Sequence, residues 1–306
     1  MYLHNNALII YHSADLDGHM SAMIAKDHYE KVGYNVELFP IDYGEAFPWD
    51  KISDYAAIVM VDYSLPANLM EILQHKCNGY NTEFIWIDHH IGIIREMKER
   101  NDIWIHGMRN PEFAACELTW QYCHPGKEVP PLISIIGAYD IWNHNHKTRT
   151  WEEIEAFQYR MRSADTDPST DAGKTLCDEL MELIYREFDI DFVETSIEAG
   201  FVVVEYVKRH FLREFENVYH VNWKGYDCAI YNGDSNAASF ICNLCKCDIG
   251  IVYHCNKGKS WNVSLRSNNP EIDLSVIAKE CGGGGHKSAA GFNWMHRKLP
   301  WEVKCT

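Results

Sequence analysis

Residues 9–25 read IIYHSADLDGHMSAMIA. An apolar run stops at Tyr11; His12, Asp15 and Asp17 follow within six positions; then come Gly18 and further apolar residues. This reads as a strand, a polar turn and a helix. The pattern recurs. NVELFPI (35–41) and AAIVMVDY (56–63) are strands, the second apolar on both faces, as in a strand buried inside a parallel sheet. PANLMEILQHKC (66–77) is a helix with Pro near its start. TEFIWIDHH (82–90) is a fourth strand and DIWIHG (102–107) a short fifth. PEFAACELTWQYCH (111–124) and VPPLISIIGAYDIWNH (129–144) read as helices. The alternation predicts an α/β fold, doubly wound about a mostly parallel sheet.

Residues 151–185 are mixed and polar, and DTDPSTDAG (165–173) marks a loop or helix start. Residues 191–218 read as one long helix interrupted at Gly200. A smaller, β-rich α/β unit follows. It has a helix from about Ser235 to Cys245, a second over DLSVIAKEC (273–281), and the run GGGGHKSAAGF (282–292). The expected organisation is a first domain over 1–185, a helical linker over 186–218 and a second domain over 219–306.

The chain has 306 residues, 46% hydrophobic, which is ample for two cores. Its formal charge is −16. Such a surface repels long duplex nucleic acid unless a local site or bound metal reverses the field, whereas a short phosphorylated ligand can enter a metal-loaded cleft. The start MYLHNNALII lacks a basic region and a small-residue cleavage site, and no apolar run approaches the ~20 residues of a spanning helix. With eleven cysteines, an odd number, the expectation is a reduced, cytoplasmic chain with free thiols and no membrane partner. CNLCKC (242–247) contains a single C-x2-C without a second ligand pair at zinc spacing, and reads as core cysteines of a helix.

In a doubly wound sheet the carboxyl ends of the strands share one edge, where ligands bind. His12, Asp15 and Asp17 end the first strand, Asp62 the third, and Asp88, His89 and His90 the fourth; a helix delivers Asp140. A lone Asp after a strand is ordinarily a turn or cap residue. Three adjacent ionisable groups ending an apolar strand are hard to explain as packing, and their recurrence at matching strand ends points to one site. Clustered carboxylates raise one another's pKa unless a cation balances them. Mixed Asp and His donors without Cys suit Mn2+, with Mg2+ or Co2+ less selectively, and argue against structural zinc. The donors suffice for two divalent ions, the device that hydrolyses phosphate esters.

HSADLDG, VDYS, IDHH, GAYD and GGGGHKSAAGF, in this order, resemble the DHH–DHHA1 phosphoesterase superfamily, in particular its nanoRNase and pAp phosphatase branch. The resemblance spans roughly 7–145 and 220–295. It implies that His12 and Asp15 bind a first metal, that Asp17, His89 and Asp140 bind a second, and that Asp62 bridges them. Asp88 would orient a histidine, and His90 would face the substrate phosphate as charge stabiliser or proton donor. Many relatives place three residues between the first His and the DxD pair, where this chain has Ser13 and Ala14.

The second domain would carry recognition. Gly283, Gly284 and Gly285 would let backbone N–H groups approach a phosphate, a following helix start would add its dipole, and His286 would contact phosphate or a terminal nucleotide. Arg266 is a candidate phosphate clamp and Ser239 a candidate lining residue. Trp142 and Trp261 are candidate base-stacking residues. The implied activity is hydrolysis of short single-stranded oligonucleotides to 5′-mononucleotides, with pAp as a further substrate; a homodimer is an arrangement common among such relatives. The alternatives are degradation of cyclic di- or oligonucleotides or their linear products, a catalytically silent nucleotide-binding protein, and a metal-dependent pyrophosphatase.

Overall fold

Strand β1 (Asn6–His12) is sequestered on both faces, because its even and odd side chains enter different cores. A computed structural model describes residues 5–100, 103–233, 235, 237–256 and 258–302, with the side chain of Ser239 outside the described residues. Helix α1 (Leu16–Lys31) follows, then β2 (Asn35–Ile41), β3 (Ala57–Val61), α2 (Ala67–Tyr80), β4 (Glu83–Ile87) and α3 (Ile91–Lys98). The four strands are parallel in the order β2-β1-β3-β4. Leu8, Ile10, Ile58, Met60, Phe84 and Trp86 pack on one side with Met70 and Leu73 of α2 and Ile94 of α3. Ile9, Tyr11, Val59, Val61, Ile85 and Ile87 pack on the other with Ala22, Ala25 and Tyr29 of α1. Each fully buried Ile or Leu contributes roughly 2 kcal/mol. This double winding is the expected fold.

Helices α4 (Ala115–Cys123), α5 (Pro131–Asp140), α6 (Trp151–Arg162), α7 (Asp171–Tyr185) and α8 (Asp189–Glu214) complete the sequence of helices. Two expectations need correction here, and the 151–185 stretch, read as mixed and polar, resolves into helices. DIWIHG forms no strand among its described residues, 103–107; His106 makes only an isolated bridge to Ile85. The polar 151–185 stretch is largely helical: Thr150 and Glu153 form a reciprocal capping box for α6, and Thr170 caps α7. Gly200 does not interrupt α8. A Cβ there would lie 1.9 Å from the Ala156 carbonyl oxygen, so the glycine serves close approach to α6.

The chain divides into two compact units, 1–204 and 205–306, and α8 runs from one into the other. The second unit has strands β5 (Tyr219–Trp223), β6 (Tyr226–Asn232), β7 (Ile249–Asn256), β8 (Ser260–Arg266), β9 (Gly284–Gly285) and β10 (Ala289–Trp294), with α9 (Ala237–Cys245) and α10 (Leu274–Glu280). The order is β5-β6-β7-β8-β10-β9, with only β6 and β7 parallel. The glycine run is not followed by a helix. Gly284 and Gly285 pair with Gly291 and Ala290, and AAGFNW is strand β10. A Cβ on Gly283 would meet the Gly291 carbonyl oxygen at 2.1 Å, and Gly285 has φ +131°. Close strand approach and a left-handed backbone therefore account for these two glycines.

A candidate metal centre at the strand ends

The register brings the sequence-distant residues together. Tyr11 pairs with Val61 and Val61 with Ile87, so His12, Asp62 and Asp88 stand in a row at the carboxyl edge of the sheet. Asp15 caps α1, accepting the Gly18 N–H at 3.0 Å. Gly18 must be glycine, because a Cβ there would lie 1.9 Å from the His12 carbonyl oxygen. Asp62 itself adopts φ +53°, a left-handed turn that costs an aspartate little.

Two donor sets result, each with ligand atoms within 4.8 Å of one another: His12, Asp15 and Asp62; and Asp17, His89 and Asp140. In the first, His12 Nδ1 lies 2.9 Å from Asp15 Oδ2 and 3.6 Å from Asp62 Oδ2. In the second, His89 Nε2 lies 3.2 Å from Asp140 Oδ2 and 3.7 Å from Asp17 Oδ2. The other oxygen of Asp62, Oδ1, is 3.2 Å from that same His89 Nε2. Asp62 thus presents one oxygen to each set. His89 Nε2 faces three carboxylates and can give a proton to only one. Asp62 Oδ1 and Asp140 Oδ2 are buried without a well-aligned hydrogen bond among the described residues. The arrangement fits divalent cations, which satisfy oxygens that protons cannot.

The electrostatics agree. Burial, then the Asp62 and Asp140 carboxylates, push Asp17 well above the usual carboxylate range. Burial lifts Asp140 to about 6 against the pull of His89, with Asp15 and Asp62 adding to the rise. Burial lowers His12, but Asp15, Asp42 and Asp62 outweigh it and hold the imidazole above its ordinary value. Crowded acids raised together are what a cation would reverse.

Asp88 falls with Asp62, His89 and His90 in a further cluster of donor atoms, but its oxygens are engaged by other partners. Its Oδ1 accepts the backbone N–H groups of His89 and His90 and sits 2.6 Å from His90 Nδ1; its Oδ2 accepts the Trp86 indole N–H at 3.2 Å. These contacts lock the DHH backbone and one face of the His90 ring. Burial lowers His90, but Asp88 outweighs it and the ring is held above its usual value.

Two features escaped the sequence reading. Asp42, directly after β2, lies 3.3 Å from His12 Nε2. Its signal was a strand ending in Asp, as in β3 and β4. The carboxylate of Asp17 accepts the first two N–H groups of α4, from Ala115 at 2.9 Å and Cys116 at 2.7 Å. No spacing rule announces that contact across about a hundred residues.

The remaining candidates, Trp142 apart, lie in the second unit. Arg266 ends β8, with Nη1 donating to the Leu265 carbonyl at 2.9 Å. His286 occupies the turn between β9 and β10, its N–H bonded to the Ala289 carbonyl at 2.7 Å. Ser239 falls in α9, but its side chain lies outside the described residues. Trp142 packs with Trp151, and Trp261 with Tyr253.

No protein-family profile matches the chain. An uncharacterised protein of Acanthamoeba polyphaga mimivirus is 27% identical over 327 residues, covering 96% of this chain and 69% of that one. Among solved structures, an exopolyphosphatase-related protein from Bacteroides fragilis superposes with TM-score 0.54 at 14% identity, over 96% of this chain and 88% of the other. RecJ from Thermus thermophilus in complex with Mn2+ gives TM-score 0.48 at 15% identity, over 95% of this chain and 50% of that one. The chain shares the fold of the Bacteroides protein. No described helix is long and apolar enough to cross a membrane.

Proposed function

We propose that the protein is a metal-dependent phosphodiesterase of the DHH–DHHA1 type that hydrolyses short oligonucleotides to 5′-mononucleotides. The observation that carries this reading is Asp62, whose two oxygens face two separate Asp/His donor sets. His12, Asp15 and Asp62 would hold one divalent ion, and Asp62, Asp17, His89 and Asp140 the other. Bound there, the ions would supply activation of water and charge stabilisation for an in-line displacement. The donor chemistry favours Mn2+, with Mg2+ or Co2+ as substitutes.

The chain's own groups do the rest. Asp88 fixes the His90 ring through Nδ1 and raises its basicity, so that the ring can stabilise phosphate charge or pass a proton from Nε2 to the leaving oxygen. Asp17 is held against the N-terminus of α4, which fixes its carboxylate before any ligand arrives. In the second unit, Arg266, His286 and the Gly283–Gly285 backbone would bind a substrate phosphate, with the Ser239 segment beside them. The −16 charge favours a short substrate, since a long strand would need a basic track. A cytoplasmic homodimer is the assembly proposed with this activity.

The test is turnover of a ladder of 5′-labelled RNAs, from dinucleotides upward, with Mn2+, alongside pAp and cyclic di-AMP. Fastest loss of the shortest RNAs is expected. Cleavage of the cyclic substrate alone would reassign the protein to signal degradation. Absence of metal-dependent turnover would overturn the enzyme reading.

A further inference from the structure

The CNLCKC segment belongs to no part of the proposed centre. Helix α9 ends at Cys245, and Lys246 reverses the chain with φ +51°. A left-handed residue after a helix brings the next residue back against the one at the start of the last turn. Here these are Cys247 and Cys242, and each thiol shifts the other's ionisation. The buried Cys242 sulfur has two further partners. It accepts the Gly250 N–H at 3.1 Å and lies 2.9 Å from the Arg266 carbonyl oxygen, to which its S–H can donate. Gly250 and Arg266 are register partners in the β7–β8 ladder. The thiol is therefore inserted between the N–H of one strand and the C=O of the other. Gly250 leaves the room, since a Cβ there would meet the Cys242 sulfur at 2.8 Å.

Cys247 is the more reactive partner. It is half-buried, and the Cys242 S–H, when it turns from the Arg266 carbonyl to Cys247, with backbone N–H groups adding, lowers its thiol to about 7. Cys245, on the same turn, is raised instead by burial and by Cys247.

We propose that Cys242 and Cys247 form a redox-active dithiol that closes to a disulfide under hydroperoxide. The Cys247 thiolate attacks a peroxide oxygen: an S–O bond forms, the O–O bond breaks, and the departing hydroxide takes a proton to become water. The Cys242 sulfur then attacks the Cys247 sulfenic acid: the S–S bond forms, the S–O bond breaks, and hydroxide leaves with the Cys242 proton as a second water. The two thiols together lose two electrons and the peroxide gains them. Closure removes the S–H that meets the Arg266 carbonyl, so oxidation loosens the end of β8 that carries Arg266.

The experiment treats the whole chain with hydrogen peroxide, quenches it, and counts thiols after unfolding, followed by tryptic mass spectrometry. The expected result is loss of two thiols from the eleven, restored by dithiothreitol. Cleavage after Lys246 should give a cross-linked peptide pair joining Cys242 to Cys247. Cys247→Ser should abolish the cross-link and Cys245→Ser should retain it. Oxidation that stops at one sulfur, a cross-link through Cys245, or reaction of the exposed Cys255 with none at Cys247 would overturn the proposal. None of these readouts depends on hydrolytic activity.

Discussion

A single imidazole nitrogen surrounded by three carboxylates is the most informative fact at the residue scale. His89 Nε2 cannot satisfy Asp17, Asp62 and Asp140 with one proton, so these acids are destabilised without a cation. Asp62→Ala should lower metal-dependent turnover by at least ~10³-fold, about 4 kcal/mol of transition-state stabilisation, because both donor sets lose a ligand together. Steady-state kinetics on a dinucleotide would check it, and a fall under tenfold would remove Asp62 from the centre. Asp88→Asn should cost less, roughly 10–100-fold in kcat, since the hydrogen bonds of its carboxylate among the described residues go to the DHH backbone, Trp86 and His90. It should also move the upper limb of the pH–rate profile to lower pH, because His90 loses the carboxylate that raises its basicity. Glu117 gives a separate pH signature. It caps α4, accepting the Ala114 N–H at 3.1 Å, and burial raises it from 4.5 to about 6. The folded metal-free protein then binds more protons than the unfolded chain between those values. Stability should fall as pH rises across that window, by about 1 kcal/mol after allowance for partial exposure. Glu117→Gln keeps the cap acceptor and should remove this part of the slope in urea titrations; an unchanged slope would contradict the assignment. The strand-end acids were legible in the sequence because each follows an apolar run. Asp42 obeyed the same rule and was passed over, whereas the amide partners of Asp17 arise only from tertiary packing.

At the scale of elements, close approach decides where glycines stand. Gly200→Ala in α8 would drive a Cβ against the Ala156 carbonyl, and should cost about 2 kcal/mol, a Tm lower by several degrees. Gly79→Ala in α2 meets open space and should raise stability by about 0.5 kcal/mol. Equal effects of the two in a thermal melt would show that the α6–α8 contact does not constrain the glycine. A helix-interior glycine reads locally as a break, which is why α8 was expected to be interrupted; its packing partner lies more than forty residues away in α6. The parallel strands were readable because their apolar runs were unbroken and their ends punctuated. The β9–β10 pairing was not. GGGGHKSAAG contains small residues that suit a helix start as readily as tightly paired strands, and only the register of Gly284 with Gly291 decides between them. Helix α6 was hidden by a polar surface, although Thr150 with Glu153 was a cap signal in plain view, whereas DTDPSTDAG, read as a loop or helix start, does lead into α7 through the Thr170 cap.

For the molecule as a whole, an acidic chain of −16 carries its densest buried acids at one sheet edge, so metal binding and stability must be linked. At a free Mn2+ concentration of about a hundred times Kd, linkage should stabilise the folded state by about 2.7 kcal/mol. The transition of the 1–204 unit should move up in a calorimetric scan and that of the 205–306 unit should not. A shift in the second unit alone would place the metal elsewhere. The most direct measurement is electron paramagnetic resonance of the metal-free protein titrated with Mn2+. If Asp62 serves both donor sets, the titration should give an exchange-coupled manganese pair in the native protein and its loss in Asp62→Ala. Only isolated Mn2+ signals, the same in both proteins, would contradict a centre bridged by Asp62.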